Sequence, residues 1–72
     1  MDKRYKLEIK TFGEKLRELR RERGLSQLDL ELDSGLNRTE ISRIENGLKN
    51  VEFATIVKLA TALEVEVKDF FI

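Results

Sequence analysis

Five side chains between positions 38 and 46 could do recognition chemistry: Arg38, Thr39, Ser42, Arg43 and Asn46. At about 100° per residue, Thr39, Ser42, Arg43 and Asn46 share one side of a helical wheel. Arg38 flanks them at the N-terminal end, and Ile41 and Ile44 point the other way with Glu45 nearby. A guanidinium can grip guanine O6 and N7 in bidentate fashion, and a threonine methyl can meet a thymine methyl. The set suits a face that reads base edges and phosphates. A merely solvated helix face has the same composition, so the face alone leaves both readings open.

Other chemistries are poorly served. The 72-residue chain has no Cys, His, Trp or Pro. Zinc sites, thiol redox chemistry and His- or Cys-based catalysis lack their ligands or nucleophiles. Glu64 and Glu66 read as solvated surface, not as an acid–base pair. A non-enzyme with no cofactor and no metal is expected. No apolar run approaches the roughly 18 residues of a membrane span, and the N-terminus lacks a signal-peptide core. The expectation is a soluble, cytoplasmic domain with no membrane partner. A single core of this size supplies only about 3–5 kcal/mol, so a partner subunit would help.

The charge balance needs mapping before it is used. Fourteen basic residues meet 14 acidic ones, for a net charge of zero, and zero charge is not the usual footprint of a nucleic-acid binder. The charges are segregated, however. Residues 1–23 carry nine basic and five acidic side chains, whereas 24–36 carry only Asp29, Glu31 and Asp33. Such a chain can still present a basic face.

The elements that must position the candidate face read as short helices. Thr11 and Glu14 fit a capping box ahead of Phe12, Leu16 and Leu19, and Gly24 follows three arginines, which gives a first helix over about 12–23. Ser26 caps a second helix to about Asp33. Ser34-Gly35-Leu36 can only be a turn. Asn37 caps a third helix, 37–46, whose buried side is Ile41, Ile44 and Leu48. Phe53, Ile56, Ala60 and Leu63 mark a fourth helix over about 52–63, and Val67–Phe71 a short fifth. Asn50 is a plausible cap for the fourth. Glu66 makes the fifth less secure.

The N-terminus has a different pattern. Tyr5, Leu7 and Ile9 alternate with charged residues at strand periodicity, so residues 1–10 are expected to be an extended arm or a frayed end, ahead of a domain over 11–72. On the second helix, Leu28 and Leu32 point about 160° away from core-facing Leu30. The arm, through Tyr5, Leu7 and Ile9, is expected to cover them unless both are simply exposed.

Two short helices joined by a tight Gly-containing turn form a helix-turn-helix unit. The segments FGEKLRELRRERGLSQ, SGLNRTEISRIENGLKN and TIVKLATALEV extend the match over about five-sixths of the chain. The chain resembles the lambda-repressor/Cro-like helix-turn-helix family, the xenobiotic-response-element type. The resemblance implies an all-α, compact five-helix domain that binds double-stranded DNA as a homodimer on a palindromic operator and regulates transcription. It implies base reading by Arg38, Thr39, Ser42 and Arg43. It implies DNA-backbone contacts by Ser26, Gln27, Asn37, Asn46 and Lys49, although Ser26 and Asn37 could be caps alone. It also implies a structural Arg20–Glu45 salt bridge, at least partly buried.

The chain departs from the family pattern in places. Glu31 stands where the family usually has Ala, and Arg38 is a candidate partner for it. Phe70, Phe71 and Ile72 are more apolar surface than so small a core can bury. A dimer interface is expected through Val65, Val67, Phe71 and Ile72, with Phe70 in the monomer core. Among sub-types, a repressor of phage kind, a restriction–modification controller and a toxin-binding antitoxin all suit the size. The Arg-Thr-x-Ile-Ser run and the Lys-Asn-Val stretch look like controller proteins. The alternative function is an antitoxin or other interaction module that uses the same fold to hold a toxin or another regulator.

Overall fold

The computed structural model describes residues 2–72. Four α-helices, α1 (Lys3–Glu22), α2 (Gln27–Ser34), α3 (Arg38–Glu45) and α4 (Phe53–Leu63), precede a terminal 3-10 helix, Val67–Phe71. No strand occurs among the described residues. The all-helical class is as expected; the fifth helix is a single 3-10 turn. No helix is long and apolar enough to cross a membrane among the described residues.

The largest departure from the sequence reading is at the N-terminus. Residues 3–10 are not an extended arm but the first turns of α1. Asp2, not Thr11, caps the helix, its carboxylate accepting from the Tyr5 N–H at 2.9 Å. Tyr5, Ile9, Phe12 and Leu16 recur at 4, 3 and 4 residues, which is helical spacing. The alternation of Tyr5, Leu7 and Ile9 is a local coincidence. Leu7 is exposed, whereas Tyr5 and Ile9 are half-buried. Residues 3–10 run on as α1 and do not cover Leu28 and Leu32 as expected; both remain exposed.

The two-turn helices α2 and α3 each start from their own side-chain cap. In α2, the Asp29 N–H donates to Ser26 Oγ at 3.0 Å and the Ser26 N–H donates back to the Asp29 carboxylate at 2.8 Å. In α3, Asn37 Oδ1 accepts from the Glu40 N–H at 2.8 Å. A good cap is worth about 1 kcal/mol, which matters for helices of two turns. Glu52, not Asn50, precedes α4, and its side chain makes no capping bond. At the terminal 3-10 helix the Glu66 N–H donates to the Asp69 carboxylate at 2.9 Å, and the Asp69 N–H donates to the Glu66 carbonyl.

The core is one cluster in which Leu16, Leu30, Ile41, Ile44, Leu59, Leu63 and Phe70 are essentially fully buried. Each such side chain contributes about 1.5–3 kcal/mol relative to exposure. Phe12 stacks on Phe70 with ring centroids 5.0 Å apart, which ties α1 to the chain's end. Two residues read as buried are not: Leu48 and Phe53 are exposed, and Leu59 fills the core in their place. α3 packs on both α1 and α2, and α2 packs on α4. The α1–α3 contact depends on Gly13, because a Cβ there would run into the Ile44 carbonyl oxygen and lie 2.9 Å from that of Glu45. The end of α3 is thereby pinned to the middle of α1.

Candidate nucleic-acid interface

The pinned end of α3 carries a buried carboxylate. Glu45 is 2% exposed and lies on the inward flank of its helix. Arg20, 7% exposed, meets it with one edge of its guanidinium, Nε donating to Oε2 at 2.7 Å and Nη2 to Oε1 at 2.9 Å. The third nitrogen, Nη1, donates to the Leu25 carbonyl at 2.8 Å. Burial alone pushes the Glu45 carboxyl up, but donation from Arg20, Gln27 and Arg17 outweighs it, so the group sits below its ordinary value. Hydrogen bonding to Glu45 raises Arg20 in turn. Both stay charged near neutral pH.

Two further donors converge on Glu45, and both lead outward. Gln27 Nε2 donates to Oε1 at 3.1 Å. Arg17 Nε donates to the same oxygen at 3.3 Å, while its Nη2 donates to Asn46 Oδ1 at 2.8 Å. The carboxylate therefore fixes Gln27 directly and Asn46 through Arg17. No buried side-chain polar atom among the described residues lacks a partner. Arg17 was absent from the sequence reading. Its spacing of three from Arg20 puts both on one helical face, which was the available signal.

The polar face of α3 is open to solvent. Gln27, Arg38, Thr39, Ser42 and Arg43 line one surface depression, and Asn37, Thr39, Glu40, Arg43 and Lys49 line the adjoining one. All four residues assigned to base reading and three of the five assigned to backbone contact, Gln27, Asn37 and Lys49, thus border a continuous surface. Arg38, Thr39, Arg43 and Asn46 are exposed, and Ser42 is half-buried. Among the described residues Arg43 reaches only the Leu48 carbonyl, at 3.5 Å, so its guanidinium keeps most of its donors. Lys49 stands 3.8 Å from Glu40, a loose surface pair. Arg38 does not pair with Glu31 as expected; among the described residues it forms no ion pair, and its charge is uncommitted.

Ser26 and Asn37 use their side-chain oxygens on their own helices. What they leave for a ligand is backbone N–H at two helix N-termini, with the favourable end of each dipole. Near the C-terminus, Val65 and Val67 are half-buried and pack against the core. Phe70 is 2% exposed, as expected, but Phe71 and Ile72 are 63% and 79% exposed.

A family model described as helix-turn-helix matches residues 16–70. The transcriptional repressor RghR of Bacillus subtilis is 50% identical over 58 residues, which span 79% of this chain but only 43% of RghR. The crystal structure of the restriction-modification controller protein C.AhdI from Aeromonas hydrophila superposes with a TM-score of 0.88 at 45% identity, covering 90% of this chain and 98% of that one. The controller C.Esp1396I, solved as a tetramer in complex with its natural 35 base-pair operator, superposes with a TM-score of 0.81 at 32% identity, covering 88% of this chain and 83% of that one.

Proposed function

The chain belongs to the helix-turn-helix family of the lambda-repressor/Cro type, and on that footing we propose that it is a sequence-specific transcriptional regulator that binds double-stranded DNA as a homodimer on a palindromic operator. One observation carries the reading. Arg38, Thr39, Ser42 and Arg43 share an open polar surface with Gln27, and Gln27 is itself fixed to Glu45. A reading helix needs side chains free to reach bases and a rigid mount that holds their register. α3 has both. The likeness to a repressor and to controllers, one of them solved on its operator, supports the same reading.

Mechanistically, α3 lies in the major groove and Arg43 and Arg38 donate to guanine edges, with Thr39 and Ser42 setting the neighbouring bases. Gln27, Asn46, Lys49 and the N–H groups at Ser26 and Asn37 hold the backbone and fix the register. A two-fold dimer places two such helices about 34 Å apart in successive major grooves. The exposed Phe71 and Ile72, with Val65 and Val67 beside them, supply the apolar surface for that dimer. Occupancy near a promoter then blocks or recruits polymerase. The full activity is proposed for this domain alone, which spans less than half of RghR.

The test is selection of bound duplexes from a random-sequence pool, followed by titration of the selected duplex at several salt concentrations. A two-fold symmetric selected site and a steep log–log salt slope, about −0.9 per neutralised phosphate, are expected. Arg43→Ala should weaken the selected site by roughly 1–3 kcal/mol and mixed-sequence DNA far less. No enrichment together with a flat salt response would overturn the proposal in favour of a module that binds a protein partner.

A further inference from the structure

The positive charge that α3 does not carry is concentrated along one side of α1. Lys10 lies against the turn that closes α3: its Cα is 3.0 Å from where a Gly47 Cβ would be. Two turns further along α1, Arg17 donates to Asn46. Between them, Gly13 packs on the last carbonyls of α3. At about 100° per residue, Lys3, Lys6, Lys10, Gly13 and Arg17 fall within an arc of about 80°. The face of α1 that meets the Asn46–Gly47 turn therefore continues toward the N-terminus as Lys10, Lys6 and Lys3. All three lysines are exposed, and none is in an ion pair among the described residues. Glu14 borders the arc on the side away from α3. The single ridge depends on residues 3–10 being helical; in an extended arm Lys3 would fall on the face opposite Lys6 and Lys10.

We propose that Lys3, Lys6 and Lys10 form a phosphate-binding ridge that extends each subunit's footprint along the DNA backbone beyond the bases α3 reads. The inference rests on the reading of the chain as a DNA-binding regulator. Seven residues of helix place Lys3 about 10 Å from Lys10, the axial run of about three nucleotides of one strand. An ammonium on a flexible stem is a point charge, not a planar fork, so the ridge adds affinity without choosing a sequence. It also accounts for where a neutral chain keeps its cations: beside the turn that holds Asn46, and apart from the acids of α2.

The experiment uses the full chain, a duplex selected from a random pool by the wild-type protein, and a scrambled duplex of equal length. The variant replaces Lys3, Lys6 and Lys10 with Gln. Glutamine is a good helix former, and removing cations from the N-terminal end of a helix relieves an unfavourable interaction with its dipole, so α1 persists; far-ultraviolet circular dichroism checks this. The variant should bind both duplexes more weakly by a similar factor, with a salt slope shallower by about 2–3 per subunit. Trimming the selected duplex to the bases protected by α3 should weaken the wild type and leave the variant nearly unchanged. A variant with wild-type affinity and slope, or one that loses discrimination between the duplexes, would overturn the ridge alone. A wild-type chain that selects no duplex overturns the DNA-binding reading itself.

Discussion

Arg20 and Glu45, 25 residues apart in sequence, form a two-pronged buried ion pair with N–O distances of 2.7 and 2.9 Å. The pair joins the last turn of α1 to the last residue of α3. Around it, Gln27 and Arg17 complete the hydrogen bonding of the carboxylate. Structural rigidity and the orientation of two proposed DNA-contacting side chains thus share one acceptor.

Removing one partner leaves the other charge buried and incompletely paired. Arg20→Ala should lower stability by about 3–5 kcal/mol, whereas replacing both residues with apolar side chains of similar volume should recover much of the loss. Thermal denaturation of the three proteins checks this; in a domain of this size the single variant should melt more than about 10 °C lower. An unchanged midpoint for Arg20→Ala would contradict the buried-pair assignment.

The same carboxylate makes stability depend on acid. Glu45 has a folded-state pKa below its ordinary value of 4.5. Its contribution is therefore complete above that value and is lost as pH falls through the depressed folded one. Asp29, lowered chiefly by the backbone hydrogen bond from Ser26, acts in the same direction. Melting followed from pH 7 down to pH 3 should show a falling midpoint, and Glu45→Gln should be less stable at neutral pH and lose less below pH 4.5.

Arg17 should separate binding from folding. Its side chain is about one-third exposed, and its pairing with Glu45 is longer than that of Arg20. Solvent screening limits such a contact to about 1 kcal/mol or less. Arg17→Ala is therefore expected to melt within a few degrees of the wild type and still bind the selected duplex more weakly, because Asn46 loses its brace. Calorimetry and fluorescence anisotropy on one preparation distinguish the two effects.

Gly13 sets how closely α1 approaches α3. Gly13→Ala forces a methyl into the Ile44 carbonyl, a backbone atom that has no room to yield. Overpacking of this kind costs about 1–3 kcal/mol, although alanine is otherwise the better helix former. A chemical denaturation midpoint equal to or above that of the wild type would mean that the helices separate without penalty.

Much of this architecture is legible in the chain. Ser26 and Asn37 have the side chains a helix start requires, and Gly35 lies where the corner needs a turn, so α2 and α3 are placed to within one or two residues. Ile41 and Ile44 give α3 an inward side, which leaves Arg38, Thr39 and Arg43 facing solvent. What misled is equally specific. Tyr5, Leu7 and Ile9 alternate, and only three residues separate a period of 2 from one of 3.6 at that length. Leu48 continues the apolar stripe of α3 past its last residue, and Phe53 opens that of α4 on its first residue, and both are exposed.

Local sequence thus determined α2 and α3, their caps and the polar side of α3, because those depend on residues within one or two turns of each other. It also determined that these 72 residues offer no Cys or His, because composition is independent of folding. Tertiary structure decided the rest. The convergence of Arg17, Arg20 and Gln27 on one carboxylate requires three segments to meet, and no periodicity within a segment encodes that meeting. Whether residues 3–10 are strand-like or helical was settled by packing: as helix, Tyr5 and Ile9 fall on the same side as Phe12 and Leu16, and the same turn aligns Lys3, Lys6 and Lys10 beside Gly47.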